Sequence, residues 1–270
     1  MKNPYKTYVK KIAAHLKAAD VLPLGGFPPG KKIKIAAAAP KVLLFSPHPD
    51  DECCTGLLPL RLMREAGMRI INVPVTFGSN VERQAARAEE LKNACGFLGW
   101  EIYHRPDGFQ SLEKSDVVKI LKAAQPAAIF FPHSKDWNSR HVATHFLVME
   151  ALAEMEKSFS CAVIETEVWG GLDEPNLLVE ADVDLLADLI AALSFHVGEV
   201  QRTPYHLMLP SWMQDGVRRG SERVGGQGAA APDFMFATLY RMRRWENGKL
   251  CECLDKGRMA ALSDHLKELF

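Results

Sequence analysis

Two short segments of the sequence concentrate side chains that bind metals and move protons. The first is S-P-H-P-D-D-E at 46–52, and the second is P-H-S-K-D-W-N-S-R-H-V-A-T-H at 132–145. Imidazole and carboxylate groups suit Zn²⁺, and a catalytic zinc normally has three protein ligands and one open position. His48, Asp51 and His141 supply such a set if the two segments meet in the fold.

The two adjacent carboxylates of the first segment allow a division of labour. Asp51 can bind the metal while Asp50 stays off it and takes a proton from the attacking water. Pro49 restrains the turn between His48 and this pair. Taken alone, either carboxylate could simply cap the helix that follows. The combination of these carboxylates with His48 and His141 favours a metal site over a helix cap.

Regular elements before each segment must bring the segments together. The apolar patterns predict strands at 42–46, 68–77, 101–104 and 127–132 and helices at 53–66, 82–98, 112–124 and 141–157. Strands alternating with helices of this length indicate an α/β fold with a mostly parallel sheet covered by helices on both faces. Each metal-binding segment directly follows a strand. Because functional loops gather beyond the carboxyl ends of parallel strands, we expect the two segments to converge.

The chain beyond residue 160 has a less regular pattern. It predicts strands at 161–169, 177–181 and 234–242 and helices at 183–195 and 259–269. Residues 208–233 are rich in Gly, Arg and Pro. Arg218, Arg219 and Arg223 in this stretch either form a lid over an anionic substituent or belong to a solvated loop, and the composition favours the loop.

The first 40 residues differ from the rest. Apolar residues recur at helical spacing over 5–17, with lysines mostly on the other faces. A basic amphipathic helix of this kind either lies on a membrane or, more commonly, docks on its own domain, and docking is our expectation here. Residues 22–40, rich in Pro, Gly and Ala, read as a linker. We therefore predict an N-terminal helical extension at 1–40 and a single domain at 41–270.

Composition excludes several classes of partner. Lys plus Arg and Asp plus Glu both total 33, and the sequence pI is about 7.1, so no basic surface for nucleic acid is expected. No signal-peptide core and no apolar run of about 18 residues is found, which predicts a cytoplasmic protein without stable membrane insertion. Six cysteines in 270 residues do not form a disulfide scaffold. Assembly into a homo-oligomer remains open.

Together, the two segments resemble the PIG-L/LmbE family of zinc-dependent N-deacetylases. The specific matches are His48-Pro49-Asp50-Asp51-Glu52 and the loop ending in His141. Supporting matches are Arg87-x-x-Glu90-Leu91, Leu98-Gly99, Pro106-Asp107-Gly108, Glu167-Val168-Trp169, Pro175-Asn176 and Ala192-Leu193 followed by His196. The resemblance implies a Rossmann-like fold. It also implies a Zn²⁺ cofactor held by His48, Asp51 and His141, with Asp50 as the general base.

The activity implied by the resemblance is hydrolysis of the acetamide C–N bond of a small N-acetylglucosamine-like amino sugar or its conjugate. The family pattern also places Arg87 near the site as a substrate contact, although an ordinary helix-surface pair with Glu90 explains the same residues. Two other functions stay open. One is an amidase acting on another acyl-amide, such as a sugar–thiol conjugate or a natural product. The other is a catalytically silent relative that binds a sugar.

One position departs from the family pattern. Many relatives have a histidine three residues before the last metal ligand, where this chain has Asn138. Asparagine can donate a hydrogen bond to an oxyanion but cannot supply a proton, or it can cap the helix beginning near residue 141. Either Asp50 carries the proton both ways, or another histidine helps. His196 is the leading candidate, with His133 and His145 as alternatives.

Overall fold

A computed structural model describes residues 3–30, 33–105, 108–254 and 256–270. Two residues of the Pro106-Asp107-Gly108 motif, 106 and 107, lie outside these ranges. The strands are β1 (Lys41–Ser46), β2 (Arg69–Pro74), β3 (Glu101–Ile102), β4 (Ala128–Pro132), β5 (Cys161–Thr166), β6 (Leu177–Ala181), β7 (Phe236–Glu246), β8 (Lys249–Glu252) and β9 (Arg258–Ala260). The helices are α1 (Tyr5–Ala19), α2 (Asp51–Cys54), α3 (Leu57–Ala66), α4 (Val81–Leu98), α5 (Lys114–Ala124), α6 (Ser139–Ala153), α7 (Val183–Leu193), α8 (Val197–Arg202) and α9 (Leu209–Arg223).

The strands form one sheet in the order β3-β2-β1-β4-β5-β7-β6-β9, and β8 pairs with β7. The first five strands of this order, β3, β2, β1, β4 and β5, are parallel to one another, whereas β7 runs antiparallel to β5, β6 and β8. The predicted α/β fold with a mostly parallel sheet is confirmed. The antiparallel insertion of β7 was not predicted, because strand order depends on long-range pairing rather than on local pattern.

Strand β1 lies at the centre of the parallel region. Val42 and Leu44 are buried in the core on one face of the sheet, and Leu43 and Phe45 in the core on the other. Burial on both faces explains why this strand is a continuous apolar run. Leu43 is opposite Ile71 of β2 and Ile129 of β4, so β1 and β4 are immediate neighbours. The loops that follow β1 and β4 therefore emerge side by side.

Two predicted helices differ in the structure. The helix expected at 53–66 is divided into α2 and α3 near Gly56, where a Cβ would lie 2.5 Å from the Glu52 carbonyl oxygen and 2.7 Å from the Trp100 ring. The helix expected at 259–269 is replaced by β9 and a 3₁₀ turn at Leu266–Leu269. Met259 pairs with Leu178 of β6, and this extension of the sheet prevails over the helical pattern.

The irregular stretch expected at 208–233 contains helix α9, so that prediction is wrong for its first half. Gly216 lies within α9, and a Cβ there would come 2.3 Å from the Ala237 carbonyl oxygen of β7. Any larger residue would push the helix away from the strand. The glycine therefore marks close packing of a helix on the sheet, not a loop.

Helix α1 forms as predicted but does not dock. None of its residues is buried. By contrast, the segment that follows is attached to the body of the protein. Leu24 and Ile35 pack against the core, and the Phe27 ring makes edge contacts with Phe97 at 6.5 Å and Phe195 at 6.1 Å. The linker wraps the surface as expected, but the predicted docking of the helix is wrong.

Across the described ranges, no helix has both the length and the apolar character that a transmembrane span requires.

Candidate functional site

The loop after β1 has a strained turn at Asp50, which adopts a φ of 117°. Non-glycine residues rarely occupy this region, and such residues persist where the surroundings hold them. The Asp50 backbone N–H donates to Glu52 Oε2 at 2.8 Å, and the other oxygen of Glu52 lies 2.7 Å from His196 Nε2. Both Glu52 and His196 are fully buried. The buried side chains of Glu52 and His196 therefore hold the Asp50 turn in place.

Asp51 lies between the two histidines that the sequence selects. Its Oδ2 atom is 3.3 Å from His48 Nδ1 and 3.3 Å from His141 Nε2. One ligand atom from each of the three residues lies within 4.8 Å of the others. Helix α2 begins at Asp51 and helix α6 begins two residues before His141, so both loops aim these side chains at one point. The structure thus brings the predicted ligand set together.

The cluster has the properties of a cation site. His141 is completely buried, yet neither of its ring nitrogens has a hydrogen-bond partner among the residues described. Burial would lower the pKa of His141, but the carboxylates of Asp51 and Asp136 raise it to about 10. Burial opposes the charge on Asp51, but the His141 and His48 rings outweigh it and lower the pKa of that carboxyl. Two imidazoles and a carboxylate fit Zn²⁺.

Asp136 is a candidate site residue that the sequence analysis missed. Its Oδ2 atom lies 3.6 Å from His141 Nδ1, on the opposite side of the ring from Asp51. Backbone N–H groups of Asn138, Trp169 and Gly170 donate to the same carboxylate. A carboxylate behind a metal-binding histidine fixes the ring's orientation and tautomer. An Asp five residues before the ligand His in the same loop was the available signal.

Asp50 sits beside the cluster in an environment suited to proton transfer. Burial and the neighbouring carboxylate of Asp51 raise the pKa of Asp50 to about 7, although three nearby donors and cations act against this. The Tyr205 hydroxyl donates to Asp50 Oδ2. Burial and Asp50 together raise the pKa of Tyr205, so the phenol stays a donor. No local signal at Tyr205 indicated this role, because about 150 residues separate it from Asp50.

Arg87 is located at the site rather than paired with Glu90. Its Nη2 atom donates to the Pro49 carbonyl at 3.0 Å and lies 3.7 Å from Asp50 Oδ1. Glu199 lies 4.0 Å from its Nη1 atom. The guanidinium of Arg87, a residue of α4, thus stabilises the turn that contains Asp50.

Asn138 caps helix α6. Its side-chain oxygen accepts from the Arg140 backbone N–H at 2.9 Å, and its own N–H donates to Asp136. This is the hydrogen-bonding pattern of an N-cap residue. It agrees with the alternative, given above, that Asn138 caps the helix. A contact between the Asn138 amide N–H and the reacting oxygen stays a prediction.

The three histidines considered as proton donors are engaged elsewhere. His196 is fully buried with its Nε2 on Glu52, so it supports the turn from beneath and does not line the cavity. His133 bonds the Gly170 carbonyl at 2.9 Å and accepts from the Lys135 N–H. His145 lies 3.1 Å from the Pro132 carbonyl oxygen. A direct acid role for any of them is not supported by these contacts.

The cluster of Arg218, Arg219 and Arg223 belongs to helix α9 and not to a lid or a solvated loop. Arg219 makes ion pairs with Glu167 and with Asp215, the latter at 2.9 Å. Arg218 pairs with Asp215, and Arg223 donates to a backbone carbonyl. The contacts of Arg219 with Glu167 and of Arg223 with the Asp173 carbonyl fix α9 on the loop after β5, whereas the pairs with Asp215 lie within the helix. Both earlier interpretations are wrong.

A cavity of about 400 Å³ opens over Asp50 and Asp51. Its walls are mainly apolar and aromatic, with Trp169 and Val168 from the loop after β5 and Trp212, Met208 and Tyr205 from the start of α9 and the turn before it. Trp169 and Met208 are 56% and 52% exposed. The site therefore combines a polar, buried floor with an open apolar wall.

The β1 and β4 loops match a known family. Residues 43–152 match the family model described as PIG-L, GlcNAc-PI de-N-acetylase, which confirms the resemblance seen in the sequence. This stretch begins within β1 and ends within α6, so it includes His48, Asp51 and His141. It does not extend to Tyr205. No curated protein matches the chain.

Solved structures share the fold at low sequence identity. The N,N'-diacetylchitobiose deacetylase of Pyrococcus horikoshii is 18% identical with a TM-score of 0.56, over 90% of this chain and 93% of that one. The 4-carboxy-2-hydroxymuconate hydratase of Pseudomonas putida KT2440 has the same identity and TM-score, over 75% and 95%. A zinc-inhibited teicoplanin deacetylase is 13% identical with a TM-score of 0.53, over 76% and 98%. Deacetylases and a hydratase share this fold, so the fold alone does not fix the reaction.

Proposed function

We propose that the chain is a zinc-dependent N-deacetylase that removes the acetyl group from an N-acetylglucosamine-like amino sugar or its conjugate. The observation that carries this proposal is the arrangement on the cavity floor. His48, Asp51 and His141 converge, and Asp50 lies beside them with its carboxylate directed to Tyr205. The family match over both loops supports the same reaction class.

His48, Asp51 and His141 would hold the metal, which supplies Lewis-acid polarisation of the acetyl carbonyl when bound. The Asp136 carboxylate, 3.6 Å from His141 Nδ1, would stabilise the ring electrostatically from the side opposite the metal. The carboxylates around the cluster favour a cation at this position, since they already raise the pKa of His141. The buried floor also keeps the charged groups away from bulk water, which strengthens their effect.

Asp50 takes a proton from the water that attacks the carbonyl carbon. The C–N bond then breaks, and the same carboxyl returns the proton to the leaving nitrogen, so the products are a free amine and acetic acid, which ionises to acetate in solution. A single shuttling carboxylate suits this chain, because Asn138, His133, His145 and His196 are all engaged in structural contacts. A carboxyl whose pKa lies near the working pH serves as both base and acid.

The cavity walls supply the basis for sugar recognition. Trp169 and Trp212 present indole rings on which the C–H face of a pyranose can pack, while the floor receives the acetamide. Arg87 lies next to Asp50 and bonds the Pro49 carbonyl, so it keeps the catalytic turn in place. It does not line the cavity, and we assign it a positioning role, with the substrate contact implied by the family pattern kept as a prediction.

Acetate release by the zinc-loaded protein tests the proposal. Substrates are N-acetylglucosamine, its phosphates, its dimer, and nucleotide and lipid conjugates, with the Asp50→Asn protein as the matched control. We expect metal-dependent release of one acetate and one amine from at least one substrate. If mass spectrometry identifies products from a different acyl-amide, that amide replaces the amino sugar as the substrate class. Sugar binding without turnover of any amide would refute the enzymatic function.

A further inference from the structure

Helix α1 presents a continuous apolar stripe to solvent. Tyr5, Tyr8, Val9, Ile12 and Leu16 are between 42% and 72% exposed, and no residue of the helix is buried. Spacings of three and four residues place all five on one side of the helix. Exposed apolar stripes of this size mark interaction surfaces rather than ordinary solvated helices.

The charges of α1 have a single sign. Between Tyr5 and Ala19 the sequence contains Lys6, Lys10, Lys11 and Lys17 and no Asp or Glu. The whole chain is formally neutral, so this positive charge is a local feature. At about 100° per residue, Lys6 and Lys11 flank the apolar stripe on its two sides, and Lys10 and Lys17 lie on the opposite, polar face. Lysines that flank an apolar stripe characterise helices lying in the headgroup region of a bilayer.

The dimensions of α1 suit a position along a surface. Fifteen residues at about 1.5 Å each give a length of roughly 22 Å, shorter than the roughly 30 Å of a hydrocarbon core. Val21 and Leu22, 84% and 58% exposed, extend the apolar surface beyond the helix. Directly after them, the Gly25 N–H donates to the Ser194 side chain at 3.1 Å, which fixes the chain to the body.

We propose that α1 binds anionic phospholipid bilayers, with its apolar stripe at the acyl boundary and its lysines among the headgroups. Charge selects this occupant. Two copies of α1 in contact would bring together two helices that each carry the same four lysines and would repel each other. Acidic headgroups instead neutralise these lysines. The short, anchored link at 20–25 then holds the domain at the membrane surface. The inference rests on α1 alone and is independent of the proposed catalytic function.

Sedimentation of the full-length protein with vesicles tests this inference. The vesicles contain phosphatidylcholine alone or phosphatidylcholine with phosphatidylserine, at low and high salt. We expect binding to the anionic vesicles, little binding to the neutral ones, and weakening as salt rises. Absence of binding to anionic vesicles at low salt would overturn the proposal.

Matched variants separate the two parts of the surface. Ile12→Ser removes a central apolar residue and should weaken binding about tenfold, whereas Ala14→Ser on the opposite side should leave it unchanged. Lys6→Gln with Lys10→Gln should weaken binding on the order of tenfold and reduce the salt dependence by about half, because two of the four lysines remain. Because no residue of α1 is buried, these variants should keep the melting temperature and the solution activity of the parent.

Two results would contradict the membrane assignment. One is equal vesicle binding by the parent and the Ile12→Ser protein. The other is concentration-dependent self-association in sedimentation velocity that Ile12→Ser abolishes while vesicle binding is absent. The second result would instead assign the apolar stripe to contact between copies of the chain.

Discussion

The floor and the walls of the cavity come from different parts of the chain and differ in character. The floor is formed by the loop after β1 and helix α2, where Asp51 is buried, and the buried His141 of the loop after β4 lies 3.3 Å from Asp51. The walls come from the loop after β5 and the start of α9, where Trp169 and Met208 are more than half exposed. The buried floor determines what chemistry is possible, and the open wall determines what can reach it.

This difference separates two kinds of experimental effect. Changes on the floor should reduce turnover, because those side chains act on the reacting atoms or hold them in place. Changes on the wall should alter substrate binding and leave the chemical step almost intact. The variants below test that separation.

Asp50→Asn should have the largest effect on turnover among variants that keep the metal. The amide cannot accept a proton from water, and loss of general-base action typically lowers the rate about 10²–10⁴-fold. Asparagine tolerates positive φ, so the turn should persist. Steady-state kinetics and elemental analysis of the same preparation measure both properties. Near-normal turnover would mean that the two carboxylates have the opposite roles.

Tyr205→Phe should lower kcat about tenfold, since one hydrogen bond to the charged form of Asp50 is lost. The metal content should not change. Tyr103→Phe, at a half-buried tyrosine that does not line the cavity, is the matched control. Tyr205 is the one wall residue expected to affect turnover, through its hydrogen bond to Asp50, and equal kinetics for the two variants would contradict that role.

Trp169→Ala should raise KM about two- to tenfold with little change in kcat, because it removes an aromatic contact made equally before and during the reaction. Trp137→Ala removes an indole that is 84% exposed and does not line the cavity, so its KM should match the parent value. A fall in kcat without a change in KM would place Trp169 with the floor.

Asn138→Ala should have the smallest effect on turnover. Loss of the N-cap costs about 1 kcal/mol of stability, which corresponds to a fall in melting temperature of roughly 2–4 °C for a domain of this size. The turnover of folded protein and the metal content should be unchanged. A slower reaction at an unaltered melting temperature would restore the oxyanion role that the family pattern suggests.

The candidate metal cluster was predictable from sequence because its three side chains follow two strands with strong local patterns. His48 and Asp51 directly follow β1, and neighbouring parallel strands bring their loop to the loop of His141. The walls were not predictable in the same way. Tyr205 and Trp212 reach the site through the packing of α9 on β7, and the close approach at Gly216 was hidden in a stretch whose glycines suggested a loop.

The chain ends show the same limit of local pattern. The apolar spacing at 259–269 favoured a helix, but the edge of β6 takes up Met259 as a strand partner. The spacing at 5–17 did predict helix α1. It did not reveal that the apolar side would stay exposed. An amphipathic pattern indicates that the apolar side contacts a partner surface, but it does not identify that partner.

The most direct test of the central claim is the metal content of purified protein carrying His141→Ala. We predict about one divalent ion per chain in the parent, and the same in His104→Ala, which changes an exposed histidine away from the cluster. His141→Ala should lose the ion and all acetate release, because the fully buried imidazole is one of three ligands. Full retention of the metal by the His141→Ala protein would contradict the site.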